Sequence, residues 1–329
     1  MSQNEKVSLA RFRQDLFRSL SRQGKQLLES ANLAQAVNKL APLETYFIVK
    51  ELGIESATPI LLNASRTQIQ TIIDLDCWTG DKPDPLDLDA WLAPYAALGK
   101  EALELAFSTL DMELQVVFLA ECFDIFEYDP EDAIHGSGRN VPSKTTADGF
   151  FFLEKRNPND EPEVDPFFLI DAIYIKELET PHKLLMAAKW ESRGQLEEQA
   201  YRFRIGRMED LGFPPVNEAI RIFADPPKSA PGVYVSKWSS RVETLPAIYA
   251  QPLKGESILT KALGRIDNPD LLSTLEGDLI NLTNSAIIAY GESPKNLAHT
   301  QAIALRVIST LNLGLETLLS PDKPLAFPE

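Results

Sequence analysis

Residues 33–78 read LAQAVNKLAPLETYFIVKELGIESATPILLNASRTQIQTIIDLDCW and carry the clearest folding signals in the chain. Pro42 suits the first position of a helix, where its missing N–H would have no partner in any case. Gly53 suits the end of that helix because it tolerates a positive φ. Ser65 and Gln68 have the spacing of a capping box. The stretch therefore predicts short amphipathic helices that pack as neighbours, because none buries enough apolar surface alone.

The composition is that of an acidic protein with an ordinary hydrophobic core. Of its 329 residues 44% are hydrophobic, which argues against a disordered chain, and the formal net charge is -16. An acidic surface repels phosphate backbones, so nucleic-acid partners are disfavoured. The N-terminus lacks a hydrophobic signal core, and the best apolar run, residues 167–175, is too short to span a membrane. We expect a cytoplasmic protein without a transmembrane segment.

The first forty residues have the opposite charge to the rest of the chain. They contain seven Lys or Arg residues and three acids, and Phe12, Leu16 and Leu20 recur at helical spacing. This pattern predicts a basic amphipathic helix. Such a helix can dock on the protein's own acidic body, or it can make a peripheral contact with an anionic membrane or a partner.

Six aspartates lie close together at the end of the opening stretch and in the turn after it: Asp74, Asp76, Asp81, Asp84, Asp87 and Asp89. Carboxylates at this density can hold Mg²⁺ or Ca²⁺, and the first four are candidate metal ligands. Their spacing is not that of an EF-hand loop. Asp84 and Asp87 equally suit the cap of a helix that contains residues 88–91, so the metal and capping interpretations both stay open.

Residues 121–165 interrupt the helical pattern with twelve acids, four bases and several Gly and Pro residues. The segment GFFFLEK predicts a short strand whose partner lies near the turn NPNDEP. The sequence HGSGR at residues 135–139 resembles a phosphate loop only superficially, because it lacks the flanking strand and helix. Helical order returns at Asp165 and Pro166.

This pattern predicts a mainly α protein in three parts. The first is a domain of superhelical short-helix repeats (1–127), and the second is an acidic insert that is irregular or contains a β-hairpin (128–165). The third is a C-terminal helical domain (166–329) that ends in a bundle with two long helices, at about residues 268–289 and 293–319.

Charged side chains crowd one further helix, in QLEEQAYRFRIGRMEDLGFPP at residues 195–215. The candidate ligand-binding residues are Arg202, Arg204, Arg207, Glu197, Glu198 and Asp210. Guanidinium groups grip carboxylates and phosphates. The alternation of acids and bases also fits an intramolecular ion-pair network, with favourable pairs three and four residues apart.

The segment ELGIESATPILLNASRTQIQTIIDLDCW resembles the short-helix repeats of the MgtE intracellular domain and of FliG-type superhelices, over residues 30–125. That resemblance implies an acidic superhelix that can sense Mg²⁺. This chain lacks the channel of MgtE, so we do not expect it to transport Mg²⁺. Much of the chain is also similar to an uncharacterised bacterial family that joins such repeats to the segment Glu197–Pro215. That wider resemblance brings no activity.

The functional hypothesis is a non-enzymatic interaction or scaffold protein with an unidentified protein partner and no cofactor. Its alternative is a sensor of a Mg²⁺-like metal or an anionic ligand, and an enzyme is the third hypothesis. The histidines, His135, His182 and His299, stand far apart in sequence, and no Ser or Cys occupies a nucleophile motif. Cys77 and Cys122 lack metal or redox spacing and are expected to be buried thiols.

Overall fold

The structure is a computed structural model that describes residues 20–131, 135–159, 161–224, 245–254 and 257–319. The fold is mainly α-helical with two small antiparallel sheets, which confirms the predicted fold class at that level. The chain divides into two compact units. Ile54–Arg204 forms one, called here the inserted unit. The residues before and after it form the other, called the flanking unit.

The helices and strands follow one another in this order: α1 (residues 20–28), α2 (Leu33–Asn38), α3 (Pro42–Leu52), α4 (Ile54–Leu61), α5 (Arg66–Asp76), β1 (Trp78–Thr79), β2 (Lys82–Pro83), α6 (Pro85–Ala96), α7 (Lys100–Thr109), α8 (Met112–Cys122), β3 (Phe123–Glu127), β4 (Ser143–Thr145), β5 (Phe151–Lys155), α9 (Pro166–Ile173), α10 (Glu179–Trp190), α11 (Arg193–Asp210), α12 (Val216–Ala219), α13 (Ala247–Ala250), α14 (Ile258–Leu263), α15 (Pro269–Ala289) and α16 (Leu297–Leu319). Short 3₁₀ turns cover Ile220–Phe223 and Gln251–Lys254.

The predicted helix ends of the opening stretch are confirmed. Pro42 is the first residue of α3, and Gly53 ends that helix with a φ of 80°. Ser65 caps α5 by accepting a hydrogen bond from the backbone N–H of Gln68, at 3.3 Å. The Gln68 side chain accepts one in return from the N–H of Ser65, at 2.8 Å. Local side-chain chemistry therefore sets these boundaries.

The inserted unit combines a run of short helices with a three-stranded sheet. Helix α4 packs on α6, α5 packs on α6 and α7, and α7 packs on α6 and α8. Helix α9 packs on α7, and α10 packs on α8 and β3. The sheet has the strand order β3-β5-β4, with Phe123 opposite Lys155. Phe151 and Leu153 of β5 are fully buried, and this face of the strand belongs to the core.

The predicted strand at GFFFLEK is confirmed, but its predicted partner near NPNDEP is wrong. Both neighbours, β3 and β4, precede β5 in the chain. The hairpin between β4 and β5 turns at Asp148 and Gly149, where Gly149 has a φ of 69°. Asp-Gly is a strong hairpin signal because it supplies the positive φ that tight turns need. The turn residues lie before the strand, not after it.

The flanking unit joins α3 to helices near the end of the chain. The Glu44 carboxylate accepts a hydrogen bond from the N–H of Ala247 at 2.8 Å, and the Tyr46 hydroxyl donates to the carbonyl of Pro294 at 3.4 Å. The Phe47 and Tyr249 rings meet edge to face, 5.6 Å between centroids. Helix α3 therefore completes its packing only with residues about 200 positions later.

The two long C-terminal helices α15 and α16 are close to their predicted limits and pack against each other. The two helices carry buried polar side chains of two kinds. Asn284 accepts a hydrogen bond from the Tyr249 hydroxyl at 2.6 Å and donates to the carbonyl of Leu211 at 2.9 Å. In contrast, the amides of Asn281 and Gln301 are buried without a hydrogen-bond partner in the described structure. An amide left in this state lowers stability.

Among the described residues, one helix, Leu297–Leu319, is long and apolar enough to cross a membrane by length and composition alone. Its mean hydropathy over the qualifying window is 1.4. A single such helix is weak evidence, because core helices of soluble proteins pass the same test. The location in the cytoplasm stays a prediction.

Some predictions lie outside the described residues. These concern residues 1–19 of the basic amphipathic helix predicted in the first forty residues, including Phe12 and Leu16. Leu20, the last of the three spaced apolar residues, is described and fully buried. The superhelix and the three-part domain division, at 1–127, 128–165 and 166–329, stay predictions.

Candidate functional site

A cleft of about 550 Å³ lies in the inserted unit, between the start of α6, the end of α8 and the segment after β5. Its volume is within the range of ligand sites, about 300–1,000 Å³. Its apolar lining comes from Pro85, Leu86, Phe118, Pro162, Val164 and Pro166. Its polar lining comes from Asp84, Asp89, Glu121, Cys122, Lys155, Asn157, Asn159 and Glu161. We treat this cleft as the candidate functional site.

The N-terminus of α6 forms one edge of the cleft. Asp84 caps the helix by accepting hydrogen bonds from the N–H groups of Leu86 (3.1 Å) and Asp87 (3.4 Å). Pro85 occupies the first helical position. The capping interpretation of Asp84 is therefore confirmed. The cap also leaves Leu86 beside the cleft with 75% of its surface exposed.

Asp89 holds the opposite wall of the cleft in place. Its buried carboxylate accepts hydrogen bonds from the N–H groups of Glu163 (2.6 Å) and Val164 (3.0 Å). Burial raises the pKa of Asp89, and the two backbone hydrogen bonds oppose that rise. The carboxylate therefore ties the segment after β5 to α6 and defines the width of the cleft.

Cys122 brings a thiol into the cleft lining, but not a reactive one. Burial raises the pKa of this thiol to about 12, and the negative charges of Asp89 and Glu121 add to the rise. The thiol is therefore protonated at neutral pH, and only the thiolate is a good nucleophile.

Of the four aspartates predicted as metal ligands, Asp74, Asp76 and Asp84 have separate structural contacts, and only Asp84 lines the cleft. Asp74 is fully buried and accepts a hydrogen bond from the Gln70 amide at 3.2 Å. Asp76 accepts one from the Trp91 indole N–H at 2.9 Å. Asp81 is exposed between β1 and β2. Within the described ranges no group of three His, Cys, Asp or Glu side chains is placed to hold a metal ion. Metal binding stays a prediction.

The charged side chains on the first half of α11 pair mainly with each other. Glu198 and Arg202 form an exposed ion pair at 3.0 Å, four residues apart. Glu197 pairs with Arg193 at 2.8 Å and lies 3.7 Å from Lys82. These contacts are those of the predicted intramolecular network.

Arg204 has a structural position near the end of α5. Its guanidinium carbon lies 4.9 Å from the centre of the Trp78 ring, and its Nε donates to the backbone carbonyl of Asp74 at 2.8 Å. Arg207 is half-buried, and Asp210 is exposed. None of the six predicted ligand-binding residues on α11 lines the cleft. Their role in ligand binding stays a prediction.

Comparison with known proteins places the whole chain in one family. The sequence model of a family of unknown function, DUF6178, matches residues 2–326. The chain belongs to this family. No curated protein and no solved structure matches the chain. The predicted resemblance to a family without an assigned activity is confirmed at that level, whereas the MgtE-like and FliG-like repeats stay a prediction.

Two histidines of this DUF6178 protein have carboxylate partners of their own. The Nδ1 atom of His182 lies 2.9 Å from Asp148, which also accepts a hydrogen bond from the Tyr174 hydroxyl at 3.0 Å. Burial alone would raise the pKa of Asp148, but the hydrogen bonds it accepts lower it. The Nδ1 atom of His299 lies 2.5 Å from Glu292. These pairs have a structural explanation as ties between neighbouring segments.

The HGSGR segment binds a carboxylate of the protein itself. Glu154 of β5 is 1% exposed and accepts hydrogen bonds from the N–H (2.9 Å) and hydroxyl (2.5 Å) of Ser137 and from the Arg139 guanidinium (3.2 Å). Burial would raise the pKa of Glu154, but these bonds lower it below its ordinary value. Gly136 passes so close that a Cβ there would lie 2.2 Å from the carboxylate. The anion-binding position of this loop is thus already occupied.

The cleft itself was not predicted from the sequence. Its lining comes from residues 84–89, 118–122 and 155–166, which are far apart in the chain. The available signal was the Pro-rich acidic segment after GFFFLEK, which was interpreted as a turn. In the structure, prolines and acids of this segment, including Glu161, Pro162 and Pro166, form one wall of the cleft.

Proposed function

We propose that this DUF6178 protein is a non-enzymatic protein-interaction module whose cleft in the inserted unit receives a segment of a partner. The single observation that carries the proposal is an open cleft of about 550 Å³ with an exposed leucine beside it. Exposed apolar side chains next to an apolar pocket favour protein docking, because contact removes both surfaces from water.

The polar groups of the cleft support binding more than catalysis. The Cys122 thiol is protonated at neutral pH because its pKa is about 12. Asp89 already accepts two backbone hydrogen bonds that hold the wall, so proton transfer from it would disturb the cleft. A general acid or base needs a group free to reach the substrate.

The proposal keeps the extended helical array and the cytoplasmic location predicted from the sequence. The packing of α4 and α5 on α6, and of α7 on its neighbours α6 and α8, supports an array of the kind that MgtE-like repeats imply. Such arrays present long surfaces to partners. In this proposal the helices of the array and the segment after β5 together form the walls of the cleft.

Site-specific photo-crosslinking in the source cells tests the proposal. A benzophenone amino acid replaces Leu86, which lines the cleft, and in a matched variant it replaces Leu105, which is 60% exposed on α7. We expect a discrete crosslinked protein from position 86 that is absent from position 105. The same products from both positions, or none from position 86, would overturn the proposal.

A second candidate is the predicted sensor of a Mg²⁺-like metal or an anionic ligand, because the cleft has the volume of a small-molecule site. A ligand specific for the folded state raises the melting temperature with its concentration. We would record melting curves with millimolar phosphate, common nucleotides and Mg²⁺. A rise that Lys155→Met abolishes would support the anion sensor, and a rise with Mg²⁺ alone would support the metal-sensor alternative.

A further inference from the structure

The lining of the cleft has an unbalanced charge. Four carboxylates line it, from Asp84, Asp89, Glu121 and Glu161, against the one ammonium group of Lys155. Arg193 neutralises Glu121 at 2.8 Å from outside the lining. The cleft therefore keeps an excess of negative charge.

Hydrogen bonds to these carboxylates do not remove that excess. Asp84 and Asp89 are bonded to backbone N–H groups, which carry no net charge. Even with Asp89 protonated, Asp84 and Glu161 outnumber Lys155. The exposed carboxylates of Glu163 and Asp165 follow in the same wall segment and add to the field. A like-charged ligand would be repelled, and a cationic one would be attracted.

The apolar lining restricts the kind of cation. Phe118 and Val164 are almost fully buried, and Pro85 and Pro162 belong to the same lining. A small hydrated cation would leave this apolar surface exposed to water. The side chains of Lys and Arg instead combine an alkyl stem, which packs on apolar surface, with a charged end that stays near carboxylates.

Resting on the proposed function, we infer that the partner segment recognised by the cleft carries a Lys or Arg side chain flanked by apolar residues. The basic side chain lies along the apolar lining with its charge toward Asp84 and Glu161, and an apolar neighbour covers Leu86. The expected partner is a protein with a basic, amphipathic segment, and not a nucleic acid or an acidic peptide.

Selection from a displayed library of random twelve-residue peptides on the purified full-length protein tests this inference. We expect enrichment of sequences with Lys or Arg between apolar residues, and weaker binding at higher salt because the attraction is electrostatic. Glu161→Lys should weaken an enriched peptide about tenfold or more. The matched control is Glu209→Lys, an equal charge change at an exposed glutamate that does not line the cleft, and it should leave the affinity within about twofold.

Enrichment of acidic or uncharged peptides, no enrichment, or equal weakening by both variants would overturn the inference. Crosslinking from position 86 is independent of these outcomes. A crosslinked partner without a preference for basic peptides would leave the interaction module standing and reject only the chemistry assigned to its partner.

Discussion

Replacing Gln301 by leucine is expected to stabilise the flanking unit. The side chain is 1% exposed, and its amide nitrogen and oxygen have no hydrogen-bond partner in the described structure. A buried polar group without a partner lowers stability by about 1–3 kcal/mol, and leucine removes this cost. An imperfect fit of the leucine side chain lowers stability by about 1 kcal/mol in turn. We therefore expect Gln301→Leu to raise the free energy of unfolding by about 0–2 kcal/mol, with about 2–4 °C in melting temperature for each kcal/mol.

The assay is hydrogen exchange with mass spectrometry on peptides from α15 and α16, because it reports directly on the two helices near the substitution. The matched control is Asn284→Leu, which removes two hydrogen bonds of a fully buried amide and should lower stability by about 2–4 kcal/mol. If Gln301→Leu also lowers stability, the amide has a partner, such as an internal water, and the reasoning is refuted.

Three further predictions concern single residues. Gly136→Ala should lower the stability of the inserted unit by about 2 kcal/mol or more in urea unfolding, because its Cβ would overlap the buried carboxylate of Glu154. The control Gly149→Ala has a similar φ and open space around the new Cβ, and it should cost only about 1 kcal/mol. Burial raises the pKa of Glu51 to about 7, so the folded state binds more protons than the unfolded state between pH 4.5 and 7. In urea unfolding, stability should therefore fall more steeply with rising pH through this range in wild type than in Glu51→Gln. Arg204→Lys should cost about 1 kcal/mol and change the fluorescence of Trp78, and an unchanged spectrum would contradict the stacking.

The sequence predicted the parts of the fold that depend on neighbouring residues. The capping box of Ser65 and Gln68, the first position of Pro42 and the terminal Gly53 are decided within one turn of helix, and all are present in the structure. Asn268 caps α15 at the predicted start of that helix for the same reason. Such signals can be read without knowing where the rest of the chain goes.

Features that depend on distant residues could not be read in this way. The pairing of Phe123 with Lys155 brings together residues from both ends of the acidic region, and no local pattern specifies it. The hydrogen bond that the Val164 N–H donates to Asp89, which defines the cleft, spans 75 residues. Acids that look like metal ligands in sequence, such as Asp76, can equally be acceptors for a buried indole. Sequence spacing alone cannot separate these roles.

The division of the chain has a consequence for its synthesis. The inserted unit is complete once Arg204 has left the ribosome. Glu44 of α3, in contrast, bonds to Ala247, which is synthesised 203 residues after Glu44. At about 5–20 residues per second, α3 waits roughly 10–40 s with its apolar face uncovered. A nascent chain in that interval offers a binding site to chaperones. A truncated protein that ends before α13 would keep α3 in this state permanently, so it should aggregate even though its inserted unit folds.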